Sequence, residues 1–181
     1  MSAGAAASPP DARYPVGRYE RVEPTPERRE AWLATIEALP ARLRGAVEDL
    51  AGARLDTPYR DGGWTVRQLV HHIADSHANS YIRFMLALHE EDRTVGLYDQ
   101  DRWASGPFAR TGPIEPSLAL LDGLHARWVA TLRAVDDRAF ERTIEHPDWG
   151  TMSVDDLLCL YDWHSRHHLA HIVALREREG W

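Results

Sequence analysis

Between residues 163 and 171 the chain reads WHSRHHLAH, four histidines in nine residues. Imidazole is both a common metal ligand and the side chain that most readily moves a proton near neutral pH. Which rings could act together depends on the faces they share. A helix turns by about 100° per residue, so side chains three or four apart lie on one face. Placed on a helix, His164 and His168 fall on the stripe of Leu157, Leu160, Tyr161, Ile172 and Leu175, one turn apart. His167 sits at the margin of that stripe, while Arg166 and Glu177 point elsewhere. Two inward imidazoles at i and i+4 can hold one ion, the geometry an H-E-x-x-H helix uses for zinc. Buried without partners they would be costly, so a partner from another segment is expected.

A second segment, WTVRQLVHHIADSH, could supply it. Its apolar stripe runs through Val66, Leu69, Ile73, Ser80 and Phe84. His71 projects away from the stripe, His72 lies on its shoulder and His77 nearer its centre, so spacing leaves both His72 and His77 open as third ligand. His89, His125 and His146 read as surface or loop residues. Cys159, five residues before His164, lies about 140° round the helix and reads as a structural thiol. The tryptophans at 32, 64, 103, 128, 149, 163 and 181 read as packing anchors.

Four amphipathic segments must carry these side chains. Thr25 and Pro26 look like an N-cap followed by proline at the first helical position. The stripe from Trp32 to Leu50 then predicts a helix over Pro26–Ala51, with a kink or break at Pro40. Thr65 and Gln68 form a capping box opening a second helix to about His89. A third runs from about Pro116 to Val135 on Leu118, Leu121, Leu124, Trp128, Val129 and Leu132. Ser153 and Asp156 make a second capping arrangement, opening a fourth helix to about Glu177. No strand pattern stands out. The turn-rich stretch over 96–116 is long enough to cross an end of an all-α bundle, so two helices could run parallel as neighbours.

The 181 residues fit one domain, with 44% hydrophobic and 27% charged residues. Residues 1–13, rich in Ala, Gly, Ser and Pro, are expected to be a disordered tail, and residues 14–181 the single domain. A net charge of −7 without a basic stripe argues against nucleic-acid binding. No membrane span or secretory signal is evident, and the single cysteine fits a reducing compartment, so a cytoplasmic protein is expected.

YPVGRY, TPYRDGGWTVRQLVHHIADSHANSYIRF and LYDWHSRHHLAHI closely resemble the YfiT-like branch of the DinB superfamily. The resemblance extends from Tyr14 to Trp181. It implies a four-helix bundle with an up-down-down-up course, a homodimer, and a metal triad on His72, His164 and His168. It selects His72 over His77. It also implies a metal-dependent hydrolase, or an S-transferase using bacillithiol, mycothiol or glutathione on a small-molecule substrate.

Three imidazoles from two helices leave positions open to water or substrate, as in catalytic sites. A dication there lowers the pKa of bound water or binds a thiol as thiolate. Ser165, Arg166 and His167 stand between the paired histidines, where an H-E-x-x-H helix has its glutamate base. That absence favours attack of a metal-bound thiolate on an electrophilic carbon. Hydrolysis would need a base from Asp75, Asp162 or the 96–116 loop, and Asp75 could instead orient a histidine. Arg83 and Tyr81 are candidates to line the pocket, with structural roles as the alternative. A non-catalytic metal-binding bundle is the remaining reading. Imidazole suits zinc and nickel, as well as iron and copper.

Overall fold

The computed structural model describes residues 11–91 and 93–181. Four long helices dominate it: α1 (Pro26–Val47), α2 (Val66–His89), α5 (Glu115–Ala134) and α6 (Val154–Glu179). Two short ones, α3 (Gln100–Ala104) and α4 (Pro107–Thr111), lie in the second link. A hairpin, β1 (Thr143–His146) and β2 (Gly150–Ser153), precedes α6.

The caps fall where the sequence places them. Thr65 Oγ1 accepts from the Gln68 amide while the Gln68 side chain accepts from the Thr65 amide, and Ser153 and Asp156 do the same for α6. These reciprocal bonds satisfy amides that a helix start leaves bare. At its far end α6 stops at Gly180, whose φ of +70° lies in the left-handed region.

Side-chain pairings give the course of the bundle. Arg29 meets Asp155 while Arg176 meets Asp49 beyond the end of α1, so α1 and α6 run parallel. Arg133 meets Glu37 and Arg44 meets Asp122, so α1 and α5 are antiparallel. His71 meets Ser117 and Tyr81 meets Arg127, making α2 and α5 parallel. His72 packs on His168 and His77 on His164, making α2 and α6 antiparallel. The course is therefore up, down, down, up. Because α2 and α5 run the same way, the link between them must return the length of the bundle. It is partly helical and is tied down on α2, where Gln68 donates to the Ala104 carbonyl (2.8 Å) and Arg67 to that of Gly112 (2.9 Å).

The apolar core falls into two clusters. One gathers Ile36, Phe84, Trp128, Leu157 and Tyr161; the other gathers Leu39, Leu43, Leu69, Ile73, Leu121 and Ile172. Along each long helix the two sets are separated by a short stretch, and in α2, α5 and α6 that stretch carries histidine.

Three expectations are corrected. Helix α1 is not broken at Pro40 and ends at Val47 rather than Ala51. Proline removes the amide that would bond the Ile36 carbonyl, but His125 Nδ1 lies 2.6 Å from that oxygen and replaces it. Second, the HPDWG stretch joins two strands. Ile144 and Met152 pair across the hairpin and are buried, and Gly150 (φ +69°) allows the turn. Third, His125 and His146 are buried rather than on the surface; His89 is exposed as expected. Residues 1–10 of the expected tail lie outside the described residues. Residues 11–14 form a turn closed by the Tyr14 amide on the Asp11 carbonyl (2.8 Å). Among the described residues no helix is long and apolar enough to cross a membrane.

The Thr65 cap holds the start of α2, about two turns before His72. Thr65→Ala is expected to lower unfolding stability by about 1 kcal/mol, measured by urea denaturation. An unchanged midpoint would mean the capping box contributes nothing to the fold.

Candidate metal centre

His72 on α2 faces His164 and His168 on α6. One ring nitrogen from each lies within 4.8 Å of the others, forming a cluster that could hold an ion. The Nε2 atoms of His164 and His168 are 3.1 Å apart. Two nitrogens bound to one tetrahedral ion at about 2.0–2.1 Å stand roughly 3.3 Å apart, so the spacing fits. His77, the alternative third ligand, is not in this cluster. It stands behind His164, with its Nε2 3.1 Å from His164 Nδ1.

The rings are held neutral by their surroundings. Burial pushes His72 down to about 4, with the charge of His167 adding to the effect. Burial, and then the neighbouring imidazoles, hold His164 and His168 well below the ordinary histidine value. A neutral imidazole keeps one lone pair, the form that binds a metal. Three convergent neutral donors are therefore in place.

A cavity of about 410 Å³ opens in front of the cluster. Tyr59, Arg60 and Trp64 from the first link form one wall, Trp163, His167 and His171 from α6 another, and Gln100 and Asp101 from α3 the rim. Trp64 packs on His72 at 4.6 Å between ring centroids and Trp163 stacks on His167 at 4.5 Å. His167 Nε2 and His171 Nε2 are 3.2 Å apart, and burial pushes both rings down to about 4, with Arg60 contributing.

The carboxylates that might act as a base are placed unequally. Asp162 is paired with Arg166 (2.6 Å), and Asp75 lines a separate cavity with His71, Trp103 and Phe108, where burial raises its pKa. Among the described residues the Asp75 carboxylate bonds no histidine, so of the two readings open to it the orienting one is not realised. Asp101 of the 96–116 segment is the acid that reaches the rim of the cavity. Tyr81 faces α5, its hydroxyl accepting from Arg127 Nε (2.7 Å). Arg83 lines an adjoining cavity of about 800 Å³ that also reaches His164, past Ser76 and Tyr98.

Spacing missed the contributions of the links. Tyr59, Arg60, Gln100 and Asp101 belong to no periodic stripe, although the aromatic and charged residues of TPYRDGGW were a visible signal. The tryptophans divide: Trp32 and Trp128 are buried packing residues, Trp64 and Trp163 line the cavity, and Trp103 and Trp149 are about half exposed (47% and 50%). Cys159 is buried and free, away from the centre.

A helical bundle with convergent histidines near its middle defines the class. Residues 35–172 match the DinB superfamily, and the chain belongs to that family. It is 48% identical over 170 residues to a Bacillus subtilis (strain 168) protein named "Putative metal-dependent hydrolase YfiT", covering 93% of this chain and 96% of that one. A Bacillus cereus (strain ZK / E33L) protein, BCE33L2441, with the same hydrolase description, is 48% identical over 172 residues, covering 94% and 99%. The solved structure of Bacillus subtilis YfiT, described as "a probable metal-dependent hydrolase with an unusual four-helix bundle topology", superposes with a TM-score of 0.90 at 48% identity, covering 94% of this chain and 98% of that one.

Depressed histidine pKa values make stability depend on pH. His72, His167 and His171 titrate near 4 in the folded chain against about 6.5 when unfolded. Between those values the unfolded chain binds more protons, so acid favours unfolding. The metal-free protein should keep full stability above about pH 6.5 and lose it progressively towards pH 4. Urea midpoints at pH 7.5, 6 and 5 should fall in that order; midpoints that stay level would place these rings in solvent.

Proposed function

We propose that His72, His164 and His168 hold one divalent transition metal, zinc or nickel, and that the protein transfers a low-molecular-weight thiol to an electrophilic small molecule. The observation that supports this reading is the donor set. Three neutral nitrogens converge at the floor of an open cavity, with no carboxylate among them. A metal there would supply the positive charge that keeps a bound thiol or water deprotonated near neutral pH.

The chain's own groups divide the remaining work. Arg60 has no carboxylate partner among the described residues and offers its charge to an anionic group on the thiol or the substrate. Trp64 and Trp163 provide apolar, water-excluding walls for the electrophile. A thiol of the bacillithiol, mycothiol or glutathione kind carries both the sulfur and the polar groups such a wall would recognise. The second reading is hydrolysis by activated water. It is favoured by the names of the relatives and by Asp101 at the cavity rim, which would act as general base.

Elemental analysis of untagged, dialysed protein should find about one transition-metal equivalent per chain, lost in His72→Ala and His168→Ala. Disappearance of an electrophile that requires added thiol then supports transfer, whereas thiol-independent turnover sensitive to Asp101→Asn supports hydrolysis. Metal retained without turnover of either substrate class would make the protein a binding bundle. Failure to take up any divalent ion would remove the centre altogether.

A further inference from the structure

The Ile36 carbonyl, left without its helical amide by Pro40, is the start of a chain of buried rings. His125 Nδ1 lies 2.6 Å from Ile36 O, His77 Nδ1 lies 2.9 Å from His125 Nε2, and His164 Nδ1 lies 3.1 Å from His77 Nε2. A carbonyl oxygen only accepts, so His125 Nδ1 must donate to it. A neutral ring carries one proton, which leaves His125 Nε2 as an acceptor. His77 Nδ1 must then donate, His77 Nε2 accept, and His164 Nδ1 donate in turn. The direction of every bond is settled by the carbonyl at the far end. The last lone pair in the sequence is on His164 Nε2, the atom 3.1 Å from His168 Nε2.

We infer that His77 and His125 are positioning residues, forming a one-way hydrogen-bonded relay from the Ile36 carbonyl that holds His164 with Nδ1 protonated and Nε2 bare towards the centre. The value of this for binding rests on the reading of His164 as a ligand. A ring free to choose its tautomer presents a proton to an incoming ion for part of the time, and a ring free to rotate loses its aim. A hydrogen bond at the rear nitrogen removes both freedoms and makes the ligand more basic. His164 is singled out in this respect, because His168 Nδ1 is buried without a partner. Burial supports the assignment: His77 is fully buried and His125 nearly so, and among the described residues no carboxylate hydrogen-bonds either ring to hold a second proton. The surroundings of His164 Nε2 agree. Tyr161 donates its proton to the Ser76 carbonyl (3.2 Å), which leaves the Ser76 hydroxyl, 3.3 Å from His164 Nε2, free to donate to it.

The relay also gives Pro40 a role. With an ordinary amide at residue 40 the carbonyl would already be bonded within α1, and the competition would weaken the anchor of His125.

The test uses metal-free wild-type protein labelled with ¹⁵N. Long-range ¹H–¹⁵N correlation spectra at pH 7.5 should show His125, His77 and His164 all protonated at Nδ1, the tautomer that free histidine side chains populate less. An Nε2-protonated His164 or His77 overturns the relay. Zinc affinity by competition with a chromophoric chelator then tests its effect. His77→Leu should bind zinc about 10- to 100-fold more weakly. His77→Gln, whose carboxamide can accept from His164 and donate to His125, should stay within a few-fold of wild type, with near-ultraviolet circular dichroism confirming the fold of each. Equal affinities in the two variants, with the His164 tautomer unchanged in His77→Leu, would overturn the proposal. The wild-type spectra decide it even if a variant fails to fold. Wild-type protein that takes up no zinc would overturn the ligand reading instead, while its spectra still report on the relay.

Discussion

Desolvation of imidazole near the middle of the bundle is the constraint that orders the rest. Two apolar clusters press on a layer containing His77, His125, His164 and His168, and among the described residues no carboxylate hydrogen-bonds any of these four rings. Each ring is therefore neutral and must place one N–H and one lone pair. An unpartnered polar group in such surroundings costs of the order of 1–3 kcal/mol. The rings meet that demand largely by bonding one another. What is left over is concentrated where the layer meets the cavity: His164 Nε2 and His168 Nε2 stand 3.1 Å apart there, and His168 Nδ1 is buried without a partner.

The bundle's course follows from bringing those rings together. His72 and His77 are five residues apart on α2, and His164 and His168 are four apart on α6. Antiparallel helices let 72 meet 168 while 77 meets 164, so one pairing builds the centre and the next builds its support. His125 can reach His77 only because α5 lies beside α2, and running parallel to α2 requires the long return between them. That return is not idle length: it brings Gln100 and Asp101 to the cavity and is anchored to α2 by Gln68 and Arg67, three and four residues from the histidine pair His71 and His72. The topology and the contents of the cavity wall are thus two consequences of one connection.

How much was legible in the sequence depended on whether a residue obeyed a period. The four long helices, their caps and the inward pair on α6 were legible because amphipathic spacing and capping are local. His125 was misread although it obeys the same rule: Leu121, His125 and Trp128 stand four and three apart, and the ring takes the buried place that Leu124 only half fills. A polar residue on an apolar stripe looks like a surface residue until its partner is known, and the partner here is a carbonyl 89 positions away. Pro40 misled for the same reason, since the group that replaces its missing amide is on another helix. The hairpin was missed because its strands are only four residues long. Spacing could not separate His72 from His77, which lie on neighbouring parts of one face. The family motif selected His72, and the structure shows what spacing could not: the two rings lie at successive levels, one at the cavity and one behind it.

The charge in the cavity bears on what chemistry it suits. Because none of the three converging rings is ionised, the donor set does nothing to offset the charge of a bound dication, whereas a carboxylate ligand would. Arg60 adds positive charge to the wall, and the two further rings at His167 and His171 are held neutral rather than balancing it. Asp101 at the rim is the one acid among the described lining residues. Arg60 and Asp101 offset one another, so a bound dication would be what makes the cavity positive in a chain whose net charge is −7. Such a site favours ligands that arrive or react as anions, and a thiol ionises far more readily than water. With less of the work left to a base, the absence of a glutamate between His164 and His168 costs thiol transfer less than it costs hydrolysis.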